Sequence, residues 1–242
     1  MPNPTAAILI IGDEILTGRT REGNAHFLAG ELAKVGIDLR QIRVIGDEHA
    51  SIVAAVRALS SSHDHLFTSG GIGPTHDDIT ADAVAEAFRR PIGVREDARA
   101  ILAAHYAARE VEVTEARLRM ARIPDDARLI DNPVSGAPGF SIGNCHVMAG
   151  VPNIFQAMVA GLLPRLTGGA PLLTRSWQMM IPEAAIADEL GALAAAHPDV
   201  SFGSYPFVTE GRYGTNLVVR TTDPAALEAG FAALKTAFPE GQ

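Results

Sequence analysis

Residues 69–80 read SGGIGPTHDDIT, and two kinds of chemistry sit side by side in them. Gly70, Gly71 and Gly73 form a glycine-rich stretch whose backbone N–H groups can come close to a bound anion. Asp77 and Asp78 follow, and paired carboxylates repel phosphate. A hard divalent cation such as Mg²⁺ reconciles the two, because it takes carboxylate and phosphate oxygens together. The tetrapeptide IGDE occurs twice and supplies two more acidic pairs, Asp13–Glu14 and Asp47–Glu48. If all three pairs share one sheet edge, their repulsion favours a bound cation. Among these acids Asp13 ranks above Glu14, and Glu48 reads as surface. His76, alone inside the loop, is weak support for catalysis.

The elements around these residues decide whether they meet. Residues 6–11 are a short apolar run ending at Gly12, the pattern of a buried strand. A helix with apolar positions at Phe27, Leu28, Leu32 and Val35 follows, with Asn24 as its cap and Gly36 as its stop. Residues 37–45 form a second strand, Ile52 to Leu59 mark a second helix, and residues 65–68 a third strand that runs into the glycine loop. Asp78 is itself a candidate cap for the helix starting near Ile79. Alternating strands and helices predict a parallel sheet covered by helices. Right-handed crossovers put the three strand C-termini on one edge, where ligands bind in such folds.

Beyond Pro91 the pattern gives helices over 96–109 and 114–122, a Gly/Pro-rich loop over 131–144, a strand over 145–148 and a helix over 154–163. Gly168-Gly169-Ala170-Pro171 reads as a linker between an α/β domain (1–167) and a small α+β module (172–242). In that module strands are expected over 177–181, 200–205 and 216–221 and helices over 183–196 and 224–238, with 210–214 (EGRYG) as a hairpin connection.

Known phosphate motifs do not account for the loop. No Walker A sequence exists, the third glycine of a dinucleotide fingerprint is replaced by His76, and no G-x-S-x-G elbow is present. The net charge of −8 with no Lys/Arg-rich run disfavours nucleic acid as a partner. The single cysteine, Cys145, forbids an internal disulfide and reads as a buried strand residue. The N-terminus resembles neither a signal peptide nor a membrane span, so a cytoplasmic protein with no membrane partner is expected. His63, Asp64 and His65 resemble a metal cluster but precede the third strand, so they read as an exposed polar loop at the far edge.

Taken together, SGGIGPTHDDIT, the opening IGDEILTGRTREGNAHFLAGELAKVGIDL, and the later NPVSGAPGF and AGVPNIFQAM resemble the molybdopterin-binding domain superfamily. The likeness covers about residues 6–165. It is nearest to the branch of competence/damage-inducible protein A (CinA) and the N-terminal domain of eukaryotic FAD synthase. The resemblance implies a three-layer α/β/α fold with a mostly parallel sheet. It implies a small phosphorylated ligand, either a dinucleotide or molybdopterin, a divalent metal (Mg²⁺ or Co²⁺), and assembly as a homodimer or trimer. Asp47 and Asp78 fall at its catalytic positions, and Asp47, Asp77 and Asp78 are the candidate metal ligands. Ligand contacts are expected from Gly12 and Asp13 after the first strand. They are expected from Ser69, Gly70, Gly71, Gly73, Thr75 and Thr80 around the third. Gly136, Pro138, Gly139 and Gly150 are expected to contribute from the later loops.

In the CinA branch the implied activity is metal-assisted hydrolysis of a dinucleotide pyrophosphate such as ADP-ribose or FAD. Molybdopterin binding or adenylylation, and a non-catalytic binding or oligomerisation module, are the alternatives. The chain departs from the family at Ala149, where a proline is usual. Neither the C-terminal amidohydrolase domain of CinA nor the FAD-synthesising domain of the synthase is expected in it.

Overall fold

The structure, a computed structural model, describes residues 2–239. Residue 1 and residues 240–242, the outer ends of the two expected domains, lie outside the described residues. The chain divides into two compact units, Met1–Gly169 and Ala170–Gln242.

The first unit grows around β1 (Thr5–Ile11). Its apolar run is unbroken because both faces are covered. Ala7, Leu9 and Ile11 point into one core, and Ala6, Ile8 and Ile10 into another. Each of these larger side chains contributes about 1.5–3 kcal/mol by leaving water. A single turn, α1 (Asp13–Leu16), and the helix α2 (Asn24–Lys34) lead to β2 (Asp38–Ile45). Gly36 ends α2 as expected, with φ +67°. Ile37 N–H reaches the Leu32 carbonyl at 3.0 Å, closing the turn. α3 (His49–Ser62) returns the chain to β3 (His65–Ser69), and α4 (Thr80–Ala87) follows the glycine loop.

The next stretch is less regular than the sequence suggests. β4 (Ile92–Val94) precedes α5 (Glu96–Ala107), and α6 (Glu115–Leu118) is a single turn continued by a 3₁₀ turn, Arg119–Ala121. β5 (Arg122–Pro124) then pairs antiparallel with β4, so the expected helix over 114–122 stops early. β6 (Arg128–Ile130), β7 (Gly139–Ile142), β8 (Cys145–Met148) and α7 (Pro152–Leu162) complete the unit. The six-stranded sheet runs β2-β1-β3-β8-β7-β6. The four strands from β2 to β8 are parallel, and β7 is antiparallel to both neighbours. Helices α2 and α7 pack on one face and α3, α4 and α5 on the other, which makes three layers.

The second unit contains β9 (Leu173–Met179), α8 (Ala187–Ala196), β10 (Ser201–Thr209), β11 (Arg212–Thr221) and α9 (Pro224–Ala237). Its antiparallel sheet has the order β10-β11-β9. Met179, Leu217, Val219, Phe231 and Leu234 form its own core. Only Glu210 and Gly211 make the hairpin turn, both at positive φ (49° and 74°), and Arg212 to Gly214 already belong to β11. Asp223 caps α9 by accepting from Ala225 N–H at 2.7 Å, with Pro224 at the first helical position.

At the edge where the parallel strands begin, the expected exposed loop over 63–65 is corrected at His65. That residue opens β3, and its Nδ1 lies 3.2 Å from Nε2 of His146. Nδ1 of His146 in turn lies 2.9 Å from the Ser141 hydroxyl. Burial, with the charge of His65 beside it, pushes His146 down to about 3. Burial also lowers His65, against the opposing charge of Asp64. An unfolded chain therefore takes up protons between about pH 6.5 and 3 that the native His146 refuses, so stability falls as pH drops through that window. From pH 6.5 to 4.5, urea unfolding of the protein should lose about 2–3 kcal/mol more than His146→Gln loses. Parallel losses in the two proteins would show that His146 is not shielded.

Candidate ligand site

Four parallel strands end on one edge, and their exits build a cleft of about 510 Å³. The third exit is the tightest. Gly70 has φ +109°, and a Cβ there would lie 2.1 Å from the Ile11 carbonyl oxygen, so only glycine fits. Gly71 follows at φ +68°, pressed over the buried Thr80 hydroxyl, and the Thr80 N–H donates to its carbonyl at 3.0 Å. The turn leaves the N–H groups of Gly71, Ile72 and Gly73 without an acceptor among the described residues. Three successive amides of this kind form an anion-accepting concavity. Gly70 is not among them: its N–H is taken by the Met148 carbonyl at 3.2 Å. Ile72 supplies the amide that the glycine pattern assigned to Gly70.

Carboxylates from all three expected junctions line the same cleft: Glu14, Asp47, Asp77 and Asp78. Asp78 does not cap α4, whose cap position is Ile79. Its carboxylate instead accepts from the Thr75 N–H (2.8 Å) and hydroxyl (2.5 Å), which folds the loop and seats it against Gly73. Asp47 accepts from the Asp13 N–H at 2.9 Å. Burial pushes the Asp47 carboxyl above its usual range; the Asp13 amide opposes this, and the charges of Asp13, Glu14 and Asp77 add to it.

The repeated IGDE has a physical explanation at both places. A Cβ on Gly12 would lie 2.5 Å from the Glu14 carboxylate, and one on Gly46 would lie 2.4 Å from that of Asp13. The ranking of Asp13 over Glu14 is thereby reversed: Asp13 packs over Gly46, and Glu14 faces the cleft. Glu48 is exposed and bonds to the Ser51 hydroxyl at 2.5 Å.

With this geometry in place, comparison with known proteins is informative. Residues 7–168 match the family described as "Probable molybdopterin binding domain" and residues 171–242 that described as "FAD synthase, middle domain". The chain belongs to the molybdopterin-binding domain family. A CinA-like protein of Desulfosudis oleivorans is 33% identical over 82% of this chain and 51% of its own length. A Probable FAD synthase of Caenorhabditis elegans is 32% identical over 96% of this chain and 49% of its own. The chain thus spans about half the length of these curated relatives. A crystal structure of the protein CinA from Thermoplasma acidophilum aligns with a TM-score of 0.62 at 33% identity, covering 67% of this chain and 97% of that one.

Within this molybdopterin-binding domain, the other expected contacts divide by position. Gly12, Gly71, Gly73 and Gly150 line the cleft, as does the carbon of Gly70. Ser69 and Thr80 lie beneath it, buried. Ser69 receives the Asn24 side-chain amide at 2.8 Å, which also donates to the Gly150 carbonyl at 2.7 Å. Asn24 is therefore a strut joining two strand exits, and Gly23 takes the cap position of α2. Gly136 turns at φ +73° against His105, and Gly139 sits inside β7, where a Cβ would lie 2.3 Å from the Val147 carbonyl oxygen. Both are corrected to framework positions. Pro138 lines a small adjoining hollow beside Asp78.

Sequence reasoning missed one whole wall: Met120, Asn132, Ser135, Ala137, Val151 and Ile154. Asn132 shapes it, accepting from the N–H groups of Val134 and Ser135 (3.1 Å each) and donating to the Ala137 carbonyl at 2.8 Å. An Asn-Pro pair ahead of Ser-Gly was the available signal for such a turn. The wall is mostly apolar, so the cleft offers acidic side chains and, apart from them, a face suited to a planar ring.

Two glycine substitutions separate fold from site. Gly70→Ala should cost at least about 2 kcal/mol in urea unfolding, because backbone has to move. Gly73→Ala should cost less than about 1 kcal/mol, because only the Asp78 side chain has to give way. Equal costs would contradict the close approach at Gly70.

Proposed function

We propose that the cleft binds the diphosphate of a dinucleotide, such as ADP-ribose or FAD, and hydrolyses its P–O–P link. The observation that carries this reading is the placement of three unpaired amides, Gly71 to Gly73, beside four carboxylates. The donor set suits a hard cation, since it is all oxygen and four carboxylates line the cleft with no cationic side chain among them. Among the described residues no three acidic, His or Cys side chains gather as a complete metal site. A cation would then complete its shell with ligand oxygens.

One or two of Asp47, Asp78 and Asp77 would hold Mg²⁺ or Co²⁺, which would supply charge neutralisation and a more acidic water. The chain's own contributions are distinct. The amides of Gly71, Ile72 and Gly73 hold the phosphate oxygens and take up charge that grows there during attack. Asp47, with one oxygen fixed by the Asp13 amide, has a second that would take the proton of the attacking water where Asp77 or Asp78 holds the cation. The water oxygen bonds to one phosphorus, the bridging P–O bond breaks, and two phosphomonoesters leave. The apolar wall of Met120, Ala137, Val151 and Ile154 takes a ring of the ligand.

The family description supports a second reading, in which the ring is a pterin and the reaction is binding or adenylylation of molybdopterin. Assay of the full chain with ADP-ribose, FAD and molybdopterin plus ATP, each with Mg²⁺ or Co²⁺, decides between them. The pyrophosphatase reading expects phosphomonoester products that vanish with chelator and fall at least about 100-fold in Asp47→Asn and Asp78→Ala. ATP-dependent adenylylation without dinucleotide cleavage would overturn it in favour of the second reading. Tight ligand binding with no turnover under any metal would overturn both, leaving a binding module.

A further inference from the structure

We infer that Arg119 is the ligand-binding cation of this cleft, contacting a phosphate from the adjoining hollow. The inference rests on the proposed reading of the cleft as a phosphate site. An anion entering it meets Glu14, Asp47, Asp77 and Asp78, and no Lys, Arg or His belongs to its lining. Positive charge lies just beyond. The small hollow next to the cleft shares Ile72, Gly73, Asp78 and Met120 with it, and its remaining wall brings in Arg119 and Arg122.

Three arginines lie along this segment, and two are already engaged. Arg117 donates to the Glu112 carbonyl and stacks 4.8 Å from the Tyr106 ring centre. Arg122 is paired with the Asp82 carboxylate at the start of α4. Arg119 is exposed, and among the described residues its guanidinium has no ion pair or hydrogen-bond partner. It opens the 3₁₀ turn Arg119–Ala121, whose next residue, Met120, lines the cleft itself. A guanidinium there has the planar fork that grips two phosphate oxygens at once. Gly73, whose N–H has no acceptor among the described residues, lies on the shared wall. Amide and guanidinium would thus hold neighbouring oxygens of one diphosphate, beside the Asp78 carboxylate on the same wall.

The test is calorimetric titration of the full chain with ADP and with AMP, in Mg²⁺, for the wild type, Arg119→Ala, Arg119→Lys and Asp78→Ala. Because Arg119 is exposed, thermal unfolding of its variants should match that of the wild type. The inference expects Arg119→Ala to weaken ADP binding about tenfold or more, AMP binding by less, and Arg119→Lys to recover part of the loss. Unchanged ADP affinity in Arg119→Ala would overturn it while leaving the phosphate site intact. Equal losses for ADP and AMP with no recovery by lysine would also overturn it. If the wild type binds neither nucleotide, the phosphate reading falls and this inference falls with it.

Discussion

Between the Ile11 carbonyl and the α-carbon of Gly70 there is no space for a side chain. That contact draws the exit of β3 against the exit of β1, and much of the site follows from it. The chain has to leave Gly70 at positive φ, Gly71 has to repeat that handedness over Thr80, and the next amides turn outward. Gly150 closes the other side, where a Cβ would lie 3.2 Å from the Gly70 α-carbon, and Asn24 ties its carbonyl to Ser69 from below. Backbone, rather than long side chains, therefore defines the floor of the cleft. A floor of this kind is stiff and presents dipoles that need no reorganisation when an anion arrives.

Electrostatics then sets the terms for occupancy. Four carboxylates beside three donor amides repel a lone anion, and burial together with the neighbouring acids raises Asp47. An anion bound together with a cation satisfies both halves. The arrangement is economical in sequence, since IGDE supplies at each of two exits a glycine on which a nearby carboxylate can lie. Asp13 and Glu14, adjacent in sequence, end up doing different things: one packs on Gly46 and carries the amide that steadies Asp47, the other faces the ligand.

The fold was largely legible because its strongest signals are local. The double-sided apolar run of β1, the glycine stop at Gly36 and the strand over Cys145–Met148 each rest on burial or backbone conformation. The same holds for the glycine loop and the acids around it. What escaped was set by tertiary pairing. β4 and β5 are three residues long and form only because they pair with each other. Gly139 looked like loop but is held in a strand by its pairing with Ile130 of β6. The apolar wall escaped for a similar reason: Met120, Ala137 and Ile154 lie far apart in sequence, and their own side chains carry no ionisable group. Asp78 shows the limit of local rules, since its carboxylate turned to Thr75 rather than to the helix behind it.

The most direct test of the account is a crystal structure of the protein with ADP-ribose and Mn²⁺, read by anomalous scattering. It predicts a manganese peak roughly 2.0–2.3 Å from an oxygen of Asp47 or Asp78 and from a phosphate oxygen, with phosphate seated on the amides of Gly71 to Gly73. Manganese away from these acids, or a diphosphate bound at the opposite edge of the sheet, would contradict it.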